Sequence, residues 1–182
     1  MNPMERLAAY AEPVTRHPFI LRVRRNHGLE HATIHVLNGR NYKFSGRSSE
    51  GGFILLGEAP TEQVESAVIE ALERMKAGER KLAIHPNCGT NLVTTGFLAT
   101  TVAFLGFAGR GLRKSWERFP TIMVAMMAVV FLSMPLGMSL QRHFTTESDL
   151  GDMELVSVTR ERKTVPFSGQ QLTIHRVVTR QG

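Results

Sequence analysis

Two apolar runs set the outer limits on what this 182-residue chain can fold into. They are LVTTGFLATTVAFLGFAG, from Leu92 to Gly109, and TIMVAMMAVVFLSMPLGMSLQ, from Thr121 to Gln141, and neither contains a charged residue. Each is long enough to cross a bilayer as a helix, which takes roughly 17–25 predominantly apolar residues. A soluble globule of this size has little room to wrap two such helices completely, so the runs predict a transmembrane hairpin and not a pair of core helices.

What flanks the runs fits that reading. The start, MNPMERLAAYAEP, carries Glu5 and Glu12 and no apolar stretch, which argues against a cleaved secretory signal. The net charge of +6 divides as about +2 over residues 1–88, about +3 over the connector Arg110 to Pro120 and about +1 beyond it. Such a mild excess suits basic side chains at a membrane surface better than a dedicated nucleic-acid face, for which there is no aromatic interleaving and no recognisable module. Arg110, Arg113, Lys114 and Arg118 of the connector would by the positive-inside rule face the cytoplasm, but that requires moving the whole N-terminal part across the bilayer. The expectation is therefore a multi-pass protein of the cell inner membrane with both soluble parts cytoplasmic. Its partners are the lipid bilayer and an unidentified protein substrate or partner, with no nucleic acid.

Four segments follow from the patterning. Residues 1–17 form a short amphipathic start. Residues 18–88 read as a small α+β domain. Pro18 opens a helix running to about Leu37, ended by Asn38-Gly39. NYKFSGR and GGFILLGEA are two strands around a turn at Ser48–Gly52, which explains Ser48, Ser49, Gly51 and Gly52 better than an anion cradle does. A second helix starts at Pro60-Thr61, with Val64, Val68, Ala71, Leu72 and Met75 on one face and Ala77-Gly78 at its end. KLAIHP reads as a further short strand. Residues 89–141 are the membrane hairpin. In residues 142–182, MELVSVTRER and QLTIHRVVTR alternate apolar and polar side chains around VPFSGQ. A lone ribbon of that kind is marginal in water, so it is predicted to dock on the N-terminal sheet.

The chemistry concentrates in RNHGLEHATIHVLNG, Arg25 to Gly39. At about 100° per residue, with His27 at zero, His31 falls near 40°, His35 near 80° and Glu30 near 300°. Ile20, Val23, Ile34 and Leu37 share that side of the helix, so the group points along an apolar stripe where polar side chains need partners. Histidines at i and i+4 can bind one zinc from a single helix face, and a glutamate beside them can activate a water. His35 is a poor third ligand, about 12 Å along the axis from His27. It suits a supporting or surface role. The best further donors lie in HPNCGTN: His85 at the end of the expected strand, and Cys88 at a helix N-terminus, where backbone N–H groups favour a thiolate. One of them would leave a position open and both would close the site. Cys88 is the single cysteine, which excludes an intramolecular disulfide.

HGLEH fits H-x-x-E-H and so resembles the inverzincin zinc peptidases. The resemblance implies His27 and His31 as zinc ligands and Glu30 as general base. It covers five residues, and where insulinase-type members take a third ligand from a downstream helix, this chain has its first apolar run. A broader pattern over about residues 18–109, with RxxHGLEHATIHVL, SGRSSEGGFILLGEAPTEQV and HPNCGTNLV ahead of apolar spans, is similar to a family of uncharacterised bacterial membrane proteins. That family brings an architecture and no activity.

Two functions from different classes follow. The first is a membrane-anchored zinc-dependent hydrolase, peptidase-like by its motif, with Glu30 catalytic and His27, His31 and either His85 or Cys88 on the metal. The second is a non-catalytic membrane scaffold or assembly factor in which the histidines and Glu30 form a structural hydrogen-bond network. Thiol chemistry at Cys88 is weaker, because no third group orients a Cys88–His85 pair. Arg22, Arg24 and Arg25 read as contacts to anionic headgroups or as a solvated helix face.

Overall fold

The computed structural model describes residues 3–109, 111–164, 169 and 171–181. They form an α+β fold in two units, Met1–His85 with Arg142–Gly182, and Pro86–Gln141. The first holds α1 (Pro3–Thr15), α2 (Pro18–Gly39), β1 (Ser45–Ser49), β2 (Gly52–Leu56), α3 (Thr61–Lys76), a 3-10 turn (Arg80–Ala83), β3 (Glu154–Thr164) and β4 (Gln171–Arg180). The second holds α4 (Gly89–Phe107) and α5 (Leu112–Leu140).

In the first unit all four strands run antiparallel in the order β1-β2-β4-β3. The C-terminal ribbon does dock as expected: β4 pairs with β2 with Phe53 opposite Val177 and Leu55 opposite His175. That register puts Phe53, Leu55, His175 and Val177 on one buried face, as the two-residue period of a strand requires. Leu29 and Leu37 of α2 and Val64, Val68 and Met75 of α3 complete the core. Asn26 pins the assembly from α2. Its amide donates to the carbonyls of Ser49 and Glu50, and its oxygen accepts from Thr179 on β4.

One sequence expectation needs correction. Helix α2 stops as foreseen, and the left-handed residue after it is Asn41, at φ 65°. Asparagine tolerates that region better than other side chains. KLAIHP is no strand: it is the 3-10 turn followed by extended Ile84. Its carbonyls are taken by side chains of α2, which leaves no ladder for them to join. The turn VPFSGQ lies mostly outside the described residues.

Helices α4 and α5 are each long and apolar enough to cross a membrane. Their mutual contacts include polar pairs: Asn91 accepts from Gln141 at 2.9 Å and donates to the Pro86 carbonyl, and Thr95 meets Ser133 at 2.6 Å. Gly137 lies against Asn91 with no space for a Cβ, so the helices approach closely there. The outward side chains are Leu92, Phe97, Phe104, Val124, Phe131 and Leu132, all exposed.

Candidate metal centre

Helix α2 carries its histidines one turn apart, and two carbonyls outside the helix fix the first two rings. Nδ1 of His27 lies 2.9 Å from the carbonyl oxygen of Thr145, and Nδ1 of His31 lies 2.8 Å from that of Ala83. A carbonyl only accepts, so each Nδ1 carries the proton and each Nε2 keeps its lone pair. The rings sit edge to face with centroids 4.4 Å apart, and each offers a ring nitrogen within 4.8 Å of the other's. This is the outer hydrogen bond that metal-binding histidines need, because it sets tautomer and direction together.

The segment after α5 reaches α2 because glycine admits it. An added Cβ at Gly28 would collide with the Glu147 carbonyl oxygen, so only glycine lets the backbone after Thr145 lie flat on the helix. Glu147 N also donates to the Arg24 carbonyl. The Arg24 guanidinium is buried, donating to the carbonyls of Thr15 and Thr146. The three arginines, read as headgroup contacts or as a solvated helix face, instead hold partners within the first unit. Arg22 pairs with Glu50 at 2.6 Å, and Arg25 donates to the Asp149 carbonyl.

His85 is buried and lies against two other imidazoles, 5.8 Å from His31 and 4.9 Å from His35 by ring centroid. Burial, reinforced by His35 and His31, pushes its pKa down to about 4, so the ring is neutral at pH 7. Half-buried His35 donates from Nε2 to the Ile84 carbonyl at 3.1 Å.

Glu30 faces β1. One carboxylate oxygen accepts from the Ser48 hydroxyl, and the group is packed on Gly46, where a Cβ would overlap it. Burial raises its pKa above the ordinary carboxylate range, against the opposing effect of the Ser48 hydrogen bond. Ser48, Ala83 and Thr145 are partners that sequence reading missed. Two of the three act through the main chain, which no motif marks.

Cys88 belongs to the second unit and caps α4 there, its sulfur accepting from Thr90 N at 3.4 Å. His27 and His31 offer two imidazoles and Cys88 a thiol, donor types that could hold a metal ion.

A domain of unknown function, DUF6391, matches residues 22–158. An uncharacterized protein of Picosynechococcus sp. is 36% identical over 95 residues, covering 46% of this chain and 46% of that protein. The match thus spans about half the length of that relative. No solved structure matches the chain.

Proposed function

This chain belongs to the DUF6391 family, and for it we propose a membrane-anchored, metal-dependent hydrolase whose ion is zinc. His27 and His31 are the ligands, Cys88 is the third, and α4 and α5 form the membrane anchor. One observation carries the reading: Nδ1 of each helix histidine is held by a backbone carbonyl, which fixes tautomer and direction in two rings whose centroids lie 4.4 Å apart. Two imidazoles and a thiolate suit zinc and leave one coordination position for water or substrate. Bound there, the ion supplies Lewis acidity and a water acidic enough to ionise near neutrality. His85 stays neutral behind the pair and holds ring positions by contact with His31 and His35.

Glu30 is the general base of this reading. Its raised pKa makes it a stronger proton acceptor than an exposed glutamate, as general-base work near neutral pH requires. The Ser48 hydroxyl keeps one of its oxygens oriented. A second reading, the scaffold, draws on the same contacts: a glutamate held by Ser48 and seated on Gly46 also locks α2 to β1.

The test is elemental analysis of detergent-purified protein, wild type beside His31→Ala and Glu30→Gln. The hydrolase reading expects about one zinc per chain, lost in His31→Ala and retained in Glu30→Gln. Hydrolysis of a mixed peptide and ester panel should fall on the order of 10²–10⁴-fold in Glu30→Gln. Metal-free wild type after zinc loading sinks the metal centre. Zinc retained with no hydrolysis in the wild type leaves the scaffold.

A further inference from the structure

A cavity of about 420 Å³ opens between two short segments of the first unit, lined by Arg80, Lys81 and Ile84 on one side and Arg142, Thr146 and Ser148 on the other. Three cations and two hydroxyl residues around one hollow is a donor-rich lining with no carboxylate in it. The acids next to it in sequence are engaged elsewhere. Both oxygens of Glu79 are taken by Arg74, while Glu147 accepts from Ser148 N and Asp149 N and lies 3.4 Å from Arg24. Among the described residues, none of Arg80, Lys81 and Arg142 forms an ion pair. Cations gathered around a hollow repel one another unless an anion joins them.

We propose that this cavity is a binding site for a phosphate-bearing anion, gripped by Arg80, Lys81 and Arg142 with Thr146 and Ser148 as hydrogen-bonding groups. Guanidinium groups recognise phosphate oxygens in pairs, and hydroxyls complete the shell. The chain path indicates where such an anion comes from. Arg80 to Ile84 leads directly into the apolar hairpin, and Arg142 follows directly after it. On the membrane reading proposed above, these residues lie at headgroup level, where the phosphates of anionic lipids are concentrated. The same chemistry accepts a free phosphate group. The cavity walls also hold the histidines, since Ala83 and Ile84 supply the carbonyls for His31 and His35. The site is nevertheless independent of any metal.

The experiment uses the full chain, freed of metal with EDTA and exchanged into neutral detergent or phosphatidylcholine nanodiscs. Inorganic phosphate is titrated by calorimetry in detergent, and retention of phosphatidylglycerol against phosphatidylcholine is counted by native mass spectrometry. Saturable binding of about one anion per chain is expected. Each of Arg80→Gln, Lys81→Gln and Arg142→Gln should weaken it on the order of tenfold, from loss of a charge-assisted hydrogen bond. Arg47→Gln, at an exposed cation on β1, should leave it unchanged. All four variants should keep the wild-type thermal midpoint, which separates lost binding from lost folding. Retention of phosphatidylglycerol with weak phosphate binding identifies a lipid headgroup, and the reverse identifies a soluble phosphate compound. Binding of neither, or wild-type binding by a variant that combines Arg80→Gln, Lys81→Gln and Arg142→Gln, overturns the site. The phosphate arm needs no bilayer, so it stands even if the membrane anchor fails its own test.

Discussion

The two units of this chain solve the same packing problem with opposite polarity. In the first, Leu29, Leu37, Phe53, Leu55 and Val68 are buried, and charged side chains such as Arg47 and Glu62 lie outside. In the second, Asn91 meets Gln141 and Thr95 meets Ser133 between the helices, while Phe97 and Phe131 are 69% and 76% exposed. A core follows its solvent: water drives apolar groups inward, whereas hydrocarbon removes that drive and leaves polar contacts and close packing to join helices. The contrast is the one that a membrane around the hairpin would produce, because an inverted pair in water would gain nothing from its exterior.

Substitution at the two kinds of phenylalanine breaks the comparison most sharply. Phe53→Ala empties the first unit's core and should cost about 3–5 kcal/mol, read as a loss of urea resistance. Phe131→Ala, on the outer face of α5, should change the same midpoint by no more than ~0.5 kcal/mol. Next in size is Phe131→Arg. In a bilayer it should cost roughly 2.5–3.5 kcal/mol of insertion, measured with a reporter of membrane integration, whereas an aqueous surface would accept it almost freely. Normal integration and yield of this variant would remove the inverted-core account of the hairpin.

A third prediction concerns acid and belongs to the first unit. Burial, helped by Arg160, holds the His175 pKa below its ordinary value of 6.5, and His85 is depressed in the same direction. As pH falls below about 6.5 the unfolded chain takes up these protons before the folded one, so stability present at pH 7 is lost toward pH 5. The slope should reach about 1.4 kcal/mol per pH unit for each histidine and decrease in His175→Gln. A flat urea midpoint between pH 7.5 and 5.5 would contradict this. The smallest effect is expected at the hairpin seam, where Thr95→Val removes the bond to Ser133. Measured interhelical bonds of this kind average about 0.6 kcal/mol, so a steric-trap or SDS-unfolding assay is needed to resolve it.

The sequence makes periodic features legible and leaves main-chain partnerships hidden. Apolar spacing in α3 places Val64, Val68 and Met75 in the core, and alternation in QLTIHRVVTR turns Val177 inward, because both depend on local period alone. KLAIHP has a strand-like composition, yet its carbonyls serve imidazoles about 50 positions earlier in the chain, which no local window can register. The spacing of His27 and His31 marks a pair that could hold a metal ion, but the orientation of the rings comes from Ala83 and Thr145, whose side chains play no part in it. Arg24 reads as a surface cation by type, and a long-range contact with the carbonyl of Thr146 makes it a buried clamp. The basic cavity left one readable sign: cations at Arg80, Lys81 and Arg142, just outside the ends of the apolar hairpin.

The choice of backbone carbonyls to hold His27 and His31 also sets how the centre responds to mutation. A carboxylate in that place could be deleted by one codon change or silenced by a proton. The acceptors at Ala83 and Thr145 survive any change of side chain that keeps the chain path, and they do not titrate. Ring orientation is thereby insulated from drift at the two positions that provide it, and becomes vulnerable where the path itself is set, at Gly28, where any side chain would push the Glu147 backbone off the helix.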